Sequence, residues 1–233
     1  MPTLPDYTIA DLELMARAHN YIAWQRRLVT PELGRRVIEV GCGIGNFTEM
    51  LLDREWAGAI DVEPACVARL RERFPGIYAE ACAPGSVAFA QLVRFGPDSC
   101  VCVNVLEHIE DDRAALAAMA SVLAPGGVIV VLVPAFAVLY GPIDRNLQHA
   151  RRYSRADLRT LAQTCGLEIR KLHYVNAVGF FGWWMNAHIF RREVQSRTQI
   201  EIFDRYIVPW LSRLEAIEPP PFGQSLFAVL RKL

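Results

Sequence analysis

The chain has 233 residues, a length that suits one domain of ordinary size with room for an additional segment. Its 25 basic and 25 acidic side chains balance, which argues against nucleic-acid binding by phosphate neutralisation. The six cysteines form no Cys-x-x-Cys pair, the N-terminus lacks a signal pattern, and no apolar run reaches the roughly 18 to 20 residues of a membrane span. We therefore predict a cytoplasmic protein without stable membrane insertion.

The first predicted element is an amphipathic helix over residues 11–29. Its apolar side chains recur at three-to-four spacing, acidic side chains stand in its first turn, and Pro31 ends it. Residues 36–41 then predict a short strand that is buried on both faces, because the run is rich in β-branched residues and does not alternate.

Three glycines, Gly41, Gly43 and Gly45, follow this strand directly, and a helix-like pattern resumes after them. Strand, glycine turn and helix in this order let the backbone lie against a ligand, with the helix N-terminus pointing at it. Asn46 stands where a dinucleotide fingerprint has its third glycine, which argues against a nicotinamide oxidoreductase. Glu39 suits a ligand that carries an ammonium group. Glu39 and the Gly-x-Gly-x-Gly spacing resemble motif I of the Rossmann-like class I S-adenosylmethionine-dependent methyltransferases.

Two further acids follow at the ends of the next strands. Residues 57–62 predict a strand containing Asp61, about twenty residues beyond the start of the glycine loop, which is the spacing of a ribose-binding acid. In the family that the chain resembles this is motif II, with Glu63 as the alternative. Residues 76–81 predict a weak third strand. The resemblance implies that Glu80 receives the adenine amino group, and a solvated Glu80 fits the sequence equally well.

Residues 98–109 are the second strong signal, a buried strand with polar groups at its carboxyl end, where ligands bind in open α/β sheets. One helix is predicted before this strand, over residues 84–95, and another after it, capped by Asp111 or Asp112. Residues 128–133 predict strand five. The run Asn-Val-Leu-Glu-His-Ile-Glu-Asp-Asp, followed by Leu-Ala-Pro-Gly-Gly, resembles small-molecule methyltransferases. The resemblance implies that the methionine end of the cofactor meets Glu39, Gly41, Gly43 and Gly45, that Asp61 holds the ribose, and that Asn104 and Val105 lie beside the cofactor.

Glu107 and His108 raise the alternative of a metal site. Ubiquinone-pathway O-methyltransferases bind a metal with an acid three positions before a Glu-His pair, and Asn104 occupies that position here. We therefore predict no metal, with Glu107 and His108 bracing the loop and His108 available as a proton acceptor. The segment after Asn104 also lacks the Pro-Pro-aromatic continuation of base amino-methyltransferases, which argues against a nucleic-acid substrate.

The loop over residues 134–153 is rich in functional groups and follows strand five, whose carboxyl end faces the transferred methyl in the resembled family. We predict His149 and Asp144 as the substrate-side polar pair, with His108 and His173 as competing proton acceptors. Arg151 and Arg152 are predicted either to clamp a carboxylate or phosphate of the substrate or to form a solvated, ion-paired surface.

An insert over residues 176–221 precedes the last strand, an apolar run at residues 225–230, and Pro209 is predicted to divide the insert's second half into two helical pieces. Its crowded aromatic residues are compatible with three alternative roles. The insert packs on the sheet, forms a lid or wall at a hydrophobic substrate site, or attaches shallowly to a membrane. With the resemblance, the predicted substrate contacts are Tyr21, Trp24, Tyr140, Arg152, Trp183 and Trp184.

The predicted fold is a single α/β domain: a Rossmann-like three-layer sandwich with a seven-stranded, mostly parallel sheet and an antiparallel last strand. Residues 1–34 are a helical cap, residues 35–175 and 222–233 the core, and residues 176–221 the insert. The resemblance implies methyl transfer from S-adenosylmethionine, with S-adenosylhomocysteine as product, to an oxygen or nitrogen atom of a small, partly hydrophobic molecule. The alternatives are a non-catalytic cofactor-binding or scaffolding protein, and an enzyme acting on a macromolecule or lipid-linked sugar.

Overall fold

A computed structural model describes residues 4–233, with side chains from Ile9 onward. Seven strands form one sheet in the order β3-β2-β1-β4-β5-β7-β6. The last strand in the chain lies antiparallel between its neighbours β5 and β6, and the pairs from β3 to β5 are parallel. The strands are Arg36–Val40 (β1), Trp56–Asp61 (β2), Tyr78–Ala81 (β3), Ser99–Val103 (β4), Val128–Pro134 (β5), Leu167–Val175 (β6) and Ser225–Lys232 (β7). This arrangement confirms the predicted fold class.

Helices cover both faces of the sheet, as adjacent strand residues demonstrate. Ile38 belongs to a core cluster with Leu116 and Met119, whereas its neighbour Val37 packs in a second cluster with Trp24 and Val208. This alternation follows from the two-residue period of a strand. The helices are Leu4–Met15 (α1), His19–Val29 (α2), Pro64–Arg73 (α3), Val87–Ala90 (α4), Asp112–Val122 (α5), Pro142–Asn146 (α6), Arg155–Thr164 (α7), Ala177–His188 (α8), Arg197–Ile202 (α9) and Val208–Ile217 (α10).

The prediction of one helix over residues 11–29 is wrong, because α1 and α2 are separate. Asp204, which follows α9, accepts hydrogen bonds from the backbone N–H of Tyr21 at 2.8 Å and from the side chain of Asn20 at 3.1 Å. The first amides of a helix lack partners within it, and here a carboxylate from the insert supplies one. The distant acid therefore fixes where α2 begins.

The segment after the glycine loop also differs from the prediction, since only a 3₁₀ turn, Thr48–Leu51, follows it. The Thr48 hydroxyl donates to Glu39 at 2.6 Å, and the guanidinium of Arg54 donates to the carbonyl oxygens of Thr30, Leu33 and Gly34. These contacts hold the chain in turns up to β2. The glycine loop is therefore stabilised by side chains rather than by a following α-helix.

Two other predicted boundaries need correction. Residues 84–95 form the short helix α4 and then a 3₁₀ segment, Gln91–Phe95, instead of one helix. The loop over residues 134–153 contains α6. In the insert, Pro209 stands in the first turn of α10, where proline is tolerated, and a π-helical turn, Phe203–Ile207, joins α9 to α10. Among the described residues, no helix is both long and apolar enough to cross a bilayer.

Candidate active site

A cavity of about 490 Å³ opens beside the carboxyl ends of β1, β4 and β5. The glycine loop and the residues after β4 form one side, and α1, α2 and the insert form the other. The described residues that line it include, from the core, Gly41, Cys42, Asn46, Phe47, Asn104, Glu107, His108, His149 and Arg152, and, from the cap and insert, Asp11, Tyr21, Asn176, Trp183, Gln195, Gln199 and Phe203.

The glycine loop needs its glycines for two reasons. Gly41, Gly43 and Gly45 have φ angles of +74°, +50° and +87°, which side chains rarely tolerate. A Cβ atom on Gly41 would also stand 2.2 Å from the side chain of Val105. The backbone N–H groups of Gly41 and Cys42 donate to the carbonyl oxygen of Ile60 at 2.8 and 2.9 Å. The loop is therefore anchored to β2 while its surface stays open to the cavity.

Asp61 is built into this loop. Its two carboxylate oxygens accept the N–H of Gly43 at 2.8 Å and the N–H of Glu63 at 2.9 Å. Burial raises the pKa of Asp61 in spite of these donors. The carboxylate is therefore held in a fixed orientation at the carboxyl end of β2; it is not among the residues that line the cavity, and its contact with the ribose stays a prediction.

Glu39 lies behind the loop and does not line the cavity. Burial raises its pKa to about 7, although the hydrogen bond from Thr48 and the charge of Arg26 act in the opposite direction. Glu80 is likewise outside the cavity lining, since its carboxylate accepts the hydroxyl of Tyr78. Asn104, with φ of 53°, lines the cavity, and Val105 packs against Gly41. Direct cofactor contacts of Glu39 and Glu80 stay predictions.

Asp144 is the centre of a buried polar network on the substrate side. It is fully buried, and its Oδ1 accepts His149 Nδ1 at 2.9 Å and Arg152 Nε at 2.7 Å. Its Oδ2 accepts the N–H of Gly141 at 2.9 Å and the indole N–H of Trp183 at 3.2 Å. Burial favours a raised pKa for Asp144, but the hydrogen bond from His149 and the Arg152 charge outweigh it and lower the pKa. Asp144 is thereby held ionised.

The structure separates the two consecutive arginines. Arg152 is buried against Asp144 and stacks its guanidinium over the Trp183 ring at 4.9 Å. Arg151 points away and pairs with Asp112 at 2.7 Å. Arg152 therefore lines the cavity, whereas Arg151 belongs to the ion-paired surface that was the alternative. Tyr140 does not line the cavity, because its hydroxyl donates to the backbone of the same loop.

Of the other predicted substrate contacts, two line the cavity and two do not. Tyr21 and Trp183 line the cavity. Trp24 is 3% exposed and lies in the core beneath the sheet, and Trp184 is 39% exposed and packs on His188. His173 packs on Phe227 of β7 and is not part of the cavity lining. Helical geometry explains the tryptophan pair, since neighbouring residues on a helix face different directions.

Glu107 and the two histidines lie next to this network. Glu107 is 1% exposed, and neither carboxylate oxygen has a hydrogen-bond partner among the described residues. Burial raises its pKa to about 7. Burial lowers the pKa of His108 to about 4, and His149, whose ring centroid is 4.7 Å away, adds to this effect. Both histidines face the cavity.

A first prediction concerns the pH dependence of stability. Because the folded-state pKa of Glu107 is raised from 4.5 to about 7, the unfolded chain ionises first, and stability from this group is lost as pH rises through about 7. In the ligand-free protein, Glu107→Gln is expected to raise the free energy of unfolding by roughly 2–3 kcal/mol at about pH 8 and much less at about pH 5. Urea unfolding at both values tests this, with exposed Glu110→Gln as the control. Equal effects at both pH values would contradict it.

Sequence reasoning missed several lining residues from the insert. Asn176 caps α8 and donates to Gln224 at 2.8 Å, and asparagine before a helix is a signal that could have identified it. Gln195 donates to Asp11 of α1 at 3.1 Å, and Asp204 holds α2. These contacts join distant segments and have no local sequence signal.

Comparisons with known proteins agree with this architecture. Residues 13–172 match the family model of a methyltransferase domain. A probable S-adenosylmethionine-dependent methyltransferase of Mycolicibacterium smegmatis is 30% identical over 165 residues, which cover 69% of this chain and 62% of that protein. Trans-aconitate 2-methyltransferase of Methylobacterium nodulans is 26% identical over 219 residues, covering 82% of each chain. The chain thus spans less than two thirds of the length of the first of these relatives.

Solved structures share the fold. The methyltransferase in complex with the Trm112 activator of Haloferax volcanii has a TM-score of 0.66 at 17% identity, covering 99% of this chain and 98% of that one. The N-methyltransferase NodS of Bradyrhizobium japonicum, solved with S-adenosyl-L-homocysteine, has a TM-score of 0.52 at 19% identity, covering 86% and 79%. Because the family match extends over residues 13–172, from α1 to β6, the chain belongs to the Rossmann-like class I S-adenosylmethionine-dependent methyltransferases.

Proposed function

We propose that the protein transfers the methyl group of S-adenosylmethionine to an oxygen or nitrogen atom of a small, partly hydrophobic molecule. The observation that carries the proposal is one cavity that joins the glycine loop to the Asp144–His149 pair and to an aromatic wall from the insert. Its volume lies in the range of small-molecule sites. The sulfonium already activates the methyl group, so the protein must align the nucleophile and exclude water.

The roles of the polar groups follow from their contacts. Asp144 accepts from Nδ1 of His149, which leaves Nε2 to interact with the nucleophile as a hydrogen-bond or proton acceptor. Arg152 and Trp183 hold Asp144 in place. An alcohol or phenol needs such an acceptor more than an uncharged amine does, and both classes fit the proposal.

The test measures binding and transfer separately. Calorimetry with S-adenosylhomocysteine comes first, followed by transfer of a labelled methyl group from S-adenosylmethionine to pools of small molecules. His149→Ala is expected to lower turnover by about 100-fold or more and to leave cofactor affinity unchanged, with His173→Ala as the matched control. Binding without transfer to any pool would favour the scaffolding alternative, and unchanged turnover in both His149→Ala and Asp144→Asn would refute the assigned pair.

Two adjacent tryptophans provide a test of the substrate wall. Trp183 lines the cavity and donates to Asp144, whereas Trp184 is on the outside of α8. Trp183→Phe is expected to raise the Michaelis constant of the substrate by about tenfold, because the smaller ring gives up part of the aromatic contact and the indole N–H that holds Asp144 is lost. Trp184→Phe is the control and should leave this constant unchanged. Equal effects of the two substitutions would mean that the insert only packs on the sheet.

A further inference from the structure

Three electron-pair donors meet on the cavity wall: the carboxylate of Glu107 and the imidazoles of His108 and His149. One ligand atom from each residue lies within 4.8 Å of the others. Glu107 and His108 end the turn after β4, and His149 follows α6. The N–H of Ala150 donates to the carbonyl oxygen of Glu107 at 2.7 Å, so a backbone hydrogen bond fixes the two segments side by side.

Glu107 is the member of this cluster that most needs a partner. Its side chain is 1% exposed, and within the described part of the chain both carboxylate oxygens lack a hydrogen-bond partner. A buried carboxylate without donors is costly. Neither neighbouring imidazole donates a hydrogen bond to it.

The orientation of the histidines comes from their outer contacts. Asp144, held ionised by His149 and Arg152, can only accept, so Nδ1 of His149 donates to it and Nε2 is the ring nitrogen left for a metal ion. The backbone carbonyl of Leu147 is the partner of the His108 ring, which leaves the other ring nitrogen of His108 as an acceptor. A carboxylate or carbonyl behind each imidazole is the usual outer arrangement of metal-binding histidines.

We propose that Glu107, His108 and His149 bind a divalent transition-metal ion such as Zn²⁺, Mn²⁺ or Co²⁺. Two imidazole nitrogens and one carboxylate suit these ions, and three protein ligands leave positions open to the cavity. Metal–ligand distances of about 2.0–2.2 Å require the ligand atoms, which lie within 4.8 Å of one another, to move slightly closer together. Since the third group comes from the loop after α6, Asn104 does not need to be an acid.

A role for the ion in catalysis rests on the proposed function. A substrate hydroxyl bound at an open position would have its pKa lowered by the cation and lose its proton to water. An oxygen lone pair then forms the C–O bond while the S–C bond breaks, and the sulfonium becomes the neutral thioether of S-adenosylhomocysteine. His149 would then act on the nucleophile through the metal rather than by direct contact.

Metal binding is testable without any methyl acceptor. The protein, freed of metal by a chelator, is titrated by calorimetry with Mn²⁺, Co²⁺ and Zn²⁺ in separate experiments. We expect one ion per chain, and Glu107→Gln and His149→Asn should each weaken affinity by more than the roughly 10- to 100-fold that follows loss of an outer-shell partner. His173→Ala, outside the cavity, should bind like the wild type. Unchanged binding of S-adenosylhomocysteine shows that each variant is folded.

Two results would overturn the proposal. One is that none of the three ions binds saturably. The cluster would then be a site for a protonated amine of the substrate instead of a metal ion. The other is binding that neither Glu107→Gln nor His149→Asn weakens. If the ion binds as expected but no acceptor is methylated, the metal site stands and the proposed function fails, so the two failures are distinguishable.

Discussion

Replacing Asp61 with alanine is expected to weaken the binding of S-adenosylhomocysteine by at least about 100-fold, a loss of about 3 kcal/mol. In the structure this carboxylate accepts the N–H groups of Gly43 and Glu63, so its removal loosens the glycine loop. The predicted charge-assisted hydrogen bonds to the ribose hydroxyls would be lost as well. Calorimetry measures the affinity, and circular dichroism establishes that the variant is folded.

A matched control and a graded variant sharpen this test. Asp53→Ala removes an exposed carboxylate from the same region of the chain and should bind the ligand normally. Asp61→Asn keeps one acceptor oxygen and should fall between alanine and the wild type. If Asp61→Ala binds as tightly as Asp53→Ala, Asp61 has only a structural role and the ribose assignment fails.

Asp144→Ala is expected to have the largest effect on stability, about 3–5 kcal/mol in the free energy of unfolding. The substitution leaves the buried Arg152 guanidinium without its counter-charge. It also leaves the N–H groups of Gly141 and Trp183 without their acceptor. Urea unfolding gives the free energy, and turnover should fall as well because His149 loses the group that orients its ring.

An exposed ion pair serves as the control for this prediction. Arg197 and Glu201 pair at 2.7 Å with half or more of each side chain exposed, and exposed pairs contribute little. Glu201→Ala should therefore change the free energy of unfolding by less than about 0.5 kcal/mol. A comparable loss in Asp144→Ala and Glu201→Ala would show that the Asp144 network does not stabilise the protein.

The two predictions also separate the two sides of the cavity. Asp61 holds the glycine loop, which we predict to bind the cofactor, and Asp144 lies on the side formed by the loop after β5 and by α8. Asp61→Ala is expected to change cofactor affinity most, and Asp144→Ala to change stability and turnover most. This division is what a methyltransferase requires, because cofactor and acceptor must meet in one cavity from different elements of the fold.

The sequence alone predicted the sheet and the glycine loop at the carboxyl end of β1. Gly41, Gly43 and Gly45 follow a β-branched run directly, and Asp61 ends the next strand, so the relevant chemistry is local in sequence and can be predicted from it. The apolar run at residues 225–230 likewise predicted the last strand, and the resemblance to the family implied that it is antiparallel. The sequence did not predict the break between α1 and α2. The carboxylate that fixes the start of α2 belongs to Asp204, which is far away in the chain.

Only the tertiary structure decided the substrate side. Sequence placed Tyr21 and Trp24 together, and Trp183 beside Trp184, yet packing brings one of each pair to the cavity and turns the other away. Nothing in the sequence distinguished Arg151 from Arg152. In the structure Arg152 is buried against Asp144, whereas Arg151 pairs with Asp112. The orphaned carboxylate of Glu107 next to His149 also became visible only in three dimensions. Residues far apart in sequence meet there because the sheet order and the docking of the insert bring them together, and no local pattern encodes those contacts.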